Sequence, residues 1–364
     1  MGGGAMSSER IPVSIVTGFL GSGKTTLIAA LLRQPAMAGT AVVVNEFGEV
    51  GIDDAVFADA IGADNVRLLA NGCLCCTAGD DLVKTVWALT RREEDRPRRI
   101  VVETTGLADP VPLLHRLMAD PRLRLSTRLD AIIATVDAVN GLRNLDDQGV
   151  ALRQAAVADR RLVTKTDLAE PGAVEALEDR LRALNPGAPV RRVSFGAIDA
   201  NELFGASLFD HETGRADIGR WLGLGGSHDF VLRPHRRRDV RFSGGPDRDD
   251  VIGTWLVEEE EAVEWAALSP LLGAIIARHG ESLLRLKGVI QTADDPRPLV
   301  IHGVQRLFHS PVRLERWTTR PATTIVAIGD RGAAPAIEDI RAALDTAVEA
   351  AARAAREPAT QVGA

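Results

Sequence analysis

The chain has 364 residues, of which 45% are apolar and 26% charged, ordinary proportions for a globular protein large enough for two domains. Its net charge of −7 argues against nucleic acid or an anionic membrane as partner, and the short basic runs at 98–101 and 233–238 carry no interleaved aromatics. No apolar stretch is long enough to span a bilayer, and MGGGAMSSER at 1–10 lacks the basic and apolar regions of a secretory signal, so a flexible leader is expected there.

The first expected element is a buried strand at 11–17, IPVSIVT, ended by Gly18 and followed by a helix over 24–34 with Leu27, Ala30 and Leu31 at helical spacing. Strand-like runs recur at 40–46, 65–70, 98–104, 129–137 and 159–165, with helix-like runs at 80–93, 146–158 and 172–184 between most of them. Such alternation implies an α/β fold, a mostly parallel sheet flanked by helices. It fades after 190–194. Residues 221–238 mix Gly, Pro and Arg without period, as a linker would. Strands with one or two helices then suggest a second, smaller α+β domain, ending in an Ala-rich helix at 337–355. The expected division is a leader at 1–10, a first domain at 11–220, a linker at 221–238, a second domain at 239–350 and a tail at 351–364.

GFLGSGKT at 18–25 fits G-x-x-x-x-G-K-[ST] and lies between the first strand and the first helix, the context a phosphate-binding loop requires. Glycine lets backbone N–H groups turn inward around phosphate oxygens, and the helix N-terminus adds a favourable dipole. Candidate nucleotide-binding residues are therefore Gly18, Gly21, Ser22, Gly23, Lys24, Thr25 and Thr26, with Lys24 on the β/γ-phosphates and the Thr25 hydroxyl on Mg²⁺. VTKTD at 163–167 ends a late strand, where the Asp167 carboxylate would accept from guanine N1–H and the 2-amino group while the Lys165 stem lies along the base and Thr164 precedes it. The alternative is a strand-to-helix turn capped by Asp167. IVVETTG at 100–106 ends in Glu103, placed for a Mg²⁺-side carboxylate, with Gly106 to follow the γ-phosphate. NEFGEVGIDD at 45–54 stands where a switch loop belongs, with Glu46 and Asp53 as candidates and surface solvation as the plainer reading of either acid. Lys24, Asp53 and Glu103 are the candidate catalytic residues. No obvious water-positioning Gln or finger Arg accompanies them, so slow intrinsic turnover is expected.

All three cysteines fall in NGCLCCTAGD, as Cys73, Cys75 and Cys76, too close for an unstrained disulfide and suited to a reducing cytoplasm. Three thiolates suit Zn²⁺ or a similar transition metal and leave one tetrahedral position open. They converge only if the chain turns, which Asn71-Gly72 favours; Glu49, water or a client protein could complete the set. A redox-active thiol pair and small core residues are the alternatives. His279, His302 and His309 are isolated and expected to serve packing or the surface.

TGFLGSGKTTL, NEFGEVGIDD, NGCLCCT, VVETTGLADP, VDAV, ADRRLVTKTDL and LNPGAPV together resemble the CobW-type metallochaperone GTPases, and 283–308 resembles that family's C-terminal domain. The resemblance covers about residues 11 to 330. It implies a zinc-responsive GTPase that delivers metal to, or activates, a client metalloprotein, with GTP, Mg²⁺ and Zn²⁺ as ligands. Its switch falls on Gly48 to Asp53 and its metal motif on Cys73 to Cys76. The chain departs from the family's pattern at Val44, where many relatives have glutamate, and in carrying only His211, His228 and His235 where many have a His-rich loop. Two readings compete: a P-loop ATP-dependent enzyme with a structural zinc, and a non-hydrolysing adaptor. The client, the physiological metal and any homo-oligomer are left open by the sequence.

Overall fold

The computed structural model describes residues 10–44, 66–68, 78–204, 222, 240–243, 252–308, 311–317 and 320–356. They fall into two compact units, one within 1–182 and 188–215, the other within 183–187 and 216–364.

The first unit is built on strands β1 (Ile11–Gly18), β2 (Thr40–Val44), β3 (Val66–Leu68), β4 (Arg99–Glu103), β5 (Thr127–Asp137), β6 (Arg160–Thr164) and β7 (Val190–Val193). They form one sheet in the order β3-β2-β4-β1-β5-β6-β7, and every pairing is parallel. TAVVV of β2 is buried at every position and β1 and β5 nearly so, which is why these strands read as continuous apolar runs without alternation. The crossovers are α1 (Lys24–Leu32), α2 (Ala78–Thr90), α3 (Pro110–Ala119), α4 (Pro121–Ser126), α5 (Gly141–Asp147), α6 (Gly149–Val157) and α7 (Pro171–Leu184), and the short α8 (Ala200–Leu203) follows β7. Leu27, Ile28 and Leu31 of α1 pack with Val16, Val42, Val101 and Ile133, each side chain worth about 1.5–3 kcal/mol of burial.

Two local expectations change. The helix expected over 146–158 is two helices, because Gln148 takes extended dihedrals (φ −121, ψ 98) while its N–H still caps α5 on the Asn144 carbonyl. Helices α3 and α4 were not expected, although each opens with an Asp N-cap followed by proline, Asp109-Pro110 and Asp120-Pro121.

The second unit carries β8 (Val240–Ser243), β9 (Ile252–Glu259), β10 (Leu283–Ile290), β11 (Leu299–Val304), β12 (Leu307–Phe308), β13 (Val312–Arg313) and β14 (Thr323–Asp330), with α9 (Trp265–His279) and α10 (Ala334–Ala354). Its sheet runs β12-β11-β10-β14-β9-β8 with β13 beside β11, and neighbouring strands are antiparallel. Both helices bury one stripe on the same side of the sheet: Leu268, Leu272 and Ile276 of α9 and Ile337, Ile340 and Leu344 of α10 meet Val257, Leu286, Ile301 and Ile325. His279 Nε2 lies 2.8 Å from Asp339 Oδ2 and ties the two helices together. The α/β domain with a smaller α+β partner is thus the observed architecture. Among the described residues no helix is long and apolar enough to cross a membrane.

Candidate nucleotide site

Strand register gathers the site. Val16 pairs with Glu103, Gly18 with Thr135, Asp137 with Thr164, and Thr164 with Val193, so the carboxyl ends of β4, β1, β5, β6 and β7 line one edge of the sheet. Val44 is level with both Glu103 and Leu68, so β2 and β3 end on the same edge. In a parallel α/β sheet this edge is where ligands bind.

The loop after β1 turns through Gly18 (φ 145), Gly21 (φ 66) and Gly23 (φ 88), with Gly23 as the N-cap of α1. Ser22 N–H donates to the Phe19 carbonyl at 3.2 Å and closes the turn. Three hydroxyls brace it from below: Ser22 Oγ and Thr135 Oγ1 are 2.7 Å apart, Thr135 Oγ1 donates to Thr17 O at 3.3 Å, and Thr164 Oγ1 donates to Ser22 O at 2.8 Å. Each contributes about 1 kcal/mol to holding the loop open. No acid stands in the first turn of α1 itself, and its positive dipole end faces the loop. Lys24 is buried and its Nζ donates to the Gly18 and Phe19 carbonyls at 3.1 and 3.3 Å. Thr26 is exposed in the first turn of α1.

Thr25 Oγ1 donates to Glu103 Oε1 at 2.8 Å, joining the start of α1 to the end of β4. Glu103 is only 2% exposed, and a carboxylate so buried is stable only among cations and donors. Beyond it, Thr104 N–H bonds Val16 O at 3.0 Å and Thr104 Oγ1 bonds Thr17 Oγ1 at 2.9 Å. Gly106 then lies against the phosphate loop: a Cβ there would stand 2.7 Å from Leu20 N and 2.8 Å from Leu20 Cα, so only glycine fits.

At the other end, Lys165 adopts φ 55 and its Nζ donates to Asp137 Oδ2 at 2.9 Å. Burial would raise the Asp137 pKa, but Lys165, the Val139 N–H at 2.7 Å and Asn140 more than offset it and hold the carboxyl below its usual range. Asp167 is exposed two residues on, and Thr166 Oγ1 sits 3.5 Å from Ser194 Oγ in the loop after β7. Asp137, Thr135 and Ser194 belong to this site, and sequence reasoning did not single them out. For Asp137 a signal existed, an acid closing a strand in VDAV; the other two appear only once the strands are in register.

Gly18, Gly21, Ser22, Gly23, Lys24, Thr25, Glu103, Gly106, Thr164 and Lys165 are therefore assembled along one edge. Glu46, Glu49, Asp53, Cys73, Cys75 and Cys76 lie outside the described residues. Among the described residues no group of three or more His, Cys, Asp or Glu side chains could hold a metal.

A glycine-lined loop between β1 and α1, a buried lysine inside it and a threonine bonded to a strand-end carboxylate define a P-loop nucleotide-binding domain. The nucleotide-binding-domain model described as CobW/HypB/UreG matches residues 12–192, and the CobW C-terminal domain model matches 252–348. The chain belongs to the CobW family. It is 33% identical to the zinc chaperone YjiA of Escherichia coli over 322 residues, 88% of this chain and 94% of that protein. It is 29% identical to the zinc chaperone CobW of a Sinorhizobium species, covering 81% and 85% of the two chains. A zinc-regulated GTPase metalloprotein activator of Schizosaccharomyces pombe is 32% identical over 211 residues, 56% of this chain and 51% of that one. Among solved structures, Zn(II)-bound YjiA GTPase from E. coli aligns with a TM-score of 0.61 at 29% identity, covering 93% of this chain and 99% of that chain.

Proposed function

We propose that this protein is a zinc-responsive metallochaperone that binds and slowly hydrolyses GTP and uses nucleotide state to control a metal ion passed to a client metalloprotein. The observation that carries the nucleotide half is the Thr25–Glu103 hydrogen bond at the mouth of the glycine loop, a hydroxyl and a carboxylate set side by side as hard oxygen donors. Thr25 and Glu103, with Asp53, would hold Mg²⁺, which neutralises charge on the phosphates. Lys24 would exchange the Gly18 and Phe19 carbonyls for β/γ-phosphate oxygens, while the loop N–H groups and the α1 dipole bind the rest of the anion. Thr164, Lys165 and Asp167 would select guanine, with Lys165 positioned by Asp137.

The metal half is supported by sequence and topology. Cys73, Cys75 and Cys76 supply three thiolates for Zn²⁺ or another transition metal, with Glu49, water or the client for the fourth position. Their segment follows β3, whose Leu68 is level with Val44 and through it with Glu103, and such a placement suits coupling between metal and nucleotide. A reducing cytoplasmic setting keeps the thiols free. The same reading assigns 11–220 to the GTPase domain, 221–238 to a linker and 239–350 to the C-terminal domain. The test is GTP and ATP binding and turnover during a zinc titration, for wild type and Cys75→Ala. GTP preference and a zinc response lost in the variant are expected; equal zinc affinity and turnover in the two proteins would sink the metallochaperone reading, and ATP preference would favour the ATP-dependent enzyme.

A further inference from the structure

Gln154 is 1% exposed on α6, a helix whose other interior residues are Ala151, Leu152, Ala155, Ala156 and Val157. An amide buried among such residues needs a polar reason. Its Nε2 donates to the Ala108 carbonyl at 2.8 Å and to the Gly106 carbonyl at 3.2 Å, on the segment that follows Glu103. The same side chain lines a small cavity with Phe19, Ser22 and Thr135 under the phosphate loop. The residue before it makes a second tie, since Arg153 Nε is 2.9 Å from Asp109 Oδ2 and Asp109 caps α3 through the Val111 N–H.

The 104–109 segment is thereby fixed at both ends, by Thr104 on β1 and by Ala108 and Asp109 on α6. Between them Gly106 touches Leu20 of the phosphate loop, and Leu107 is 61% exposed. A trans peptide sets the Leu107 N–H opposite the Gly106 carbonyl, so a carbonyl drawn inward by Gln154 turns that N–H outward. We propose that Gln154 is a positioning residue for nucleotide discrimination: by holding the Gly106 and Ala108 carbonyls it presents the 106–107 peptide N–H to the terminal phosphate of a nucleoside triphosphate. Gln154 touches no phosphate itself. It acts through Gly106, and losing it frees the 106–107 peptide to rotate while leaving the Lys24 loop in place. The inference rests on the nucleotide reading above.

The test uses the full chain with Mg²⁺ and measures Kd for GDP and for GMPPNP in wild type and Gln154→Met, a substitution that keeps volume and removes the donor. The expected result is GDP affinity within twofold of wild type and GMPPNP affinity at least tenfold weaker. A folded variant whose GMPPNP-to-GDP ratio stays within twofold of wild type overturns the proposal and leaves Gln154 a packing residue. Should the variant not fold, amide exchange at Leu107 in wild type decides: it must slow at least tenfold with GMPPNP relative to GDP, and equal exchange refutes the assignment. Tighter binding of ADP and AMPPNP than of guanine nucleotides would instead reject the GTP reading, and the same ratio would then be measured with the adenine pair.

Discussion

Gly18→Ala provides a severe test of the site geometry. At φ 145 the backbone occupies a region that side chains rarely adopt, at a cost of about 1–3 kcal/mol. The added Cβ would also stand 2.3 Å from Thr135 Oγ1, 2.4 Å from the Thr135 carbonyl oxygen and 2.6 Å from Ser22 Oγ. Ser22 can turn away, but the carbonyl belongs to the β1–β5 ladder and cannot, which adds about 1–3 kcal/mol of overpacking. The total of about 2–6 kcal/mol is below or near the whole stability of a domain, so the expected relief is displacement of the loop rather than unfolding. Nucleotide binding must then restore the loop against that strain, and affinity for GDP should fall roughly 30-fold or more, the equivalent of about 2 kcal/mol. Gly273→Ala is the matched control. Gly273 lies exposed inside α9 with nothing within 4 Å of the new Cβ, so alanine should stabilise the second unit by about 0.5–1 kcal/mol and leave nucleotide binding untouched. Isothermal titration with GDP and calorimetric melting read both variants. Gly18→Ala binding within threefold of wild type would refute the close packing of Gly18 on Thr135.

Two further predictions concern Asp137 and Arg161. Because the Asp137 pKa is lowered in the folded protein, its contribution to stability is complete above the ordinary carboxylate range and is lost as pH falls through the depressed folded value. Asp137→Asn should therefore melt lower than wild type at pH 7, by about 1 kcal/mol given that Lys165 is 38% exposed, and the gap should close on acidification; a gap constant from pH 7 to pH 3 would contradict this. Arg161 on β6 is fully buried and donates to the Leu181 and Ala188 carbonyls, with burial and then Arg182 pushing its pKa down to about 9. Arg161→Ala would orphan those carbonyls and open a cavity, for an expected loss of about 3–5 kcal/mol in denaturant unfolding, while Arg161→Met should recover part of it; a loss under 1 kcal/mol in the alanine variant would show that the carbonyls find other donors.

The parts of this site that were legible in sequence are those whose chemistry is local. Glycines at fixed offsets, a lysine and a threonine between a β-branched run and a helix define a phosphate loop without reference to the rest of the chain. Strand ends such as Glu103 and Thr164 were legible for a similar reason, because a polar residue terminates an apolar run. Helices α3 and α4 were missed despite their Asp-Pro starts: PRLRLS makes only six helical residues, and α3, although Val111, Leu114 and Leu117 are buried at helical spacing, carries a second proline at Pro112. Gln154 could not be found at all. It sits in an alanine-rich stretch 48 residues from Gly106 and 46 from Ala108, and only the packing of α6 against β1 and β5 makes it a donor to them. The same holds for Lys165 and Asp137, 28 residues apart, whose ion pair follows from the Asp137–Thr164 register.

That contrast bears on how metal and nucleotide would communicate. The sheet places Glu103 between two neighbours, Val16 on the glycine-loop strand and Val44 on β2, with Leu68 of β3 next in line. Hydrogen bonds across these strands leave little freedom for β4 to move alone. A response to the terminal phosphate must therefore begin after the strand ends, in the segments that leave Glu103, Val44 and Leu68. Only the first of these, 104–109, has described anchors, Thr17 of β1 at Thr104 and Gln154 and Arg153 of α6 at its far end. If the zinc response of the proposed mechanism runs through Glu103 and its following segment, Gln154→Met should weaken the effect of GMPPNP on zinc affinity while leaving zinc affinity with GDP unchanged. If it runs through the segment after Val44, the variant should show the same nucleotide effect on zinc as wild type. Zinc-competition titrations with a chromophoric chelator in the two nucleotide states distinguish these routes.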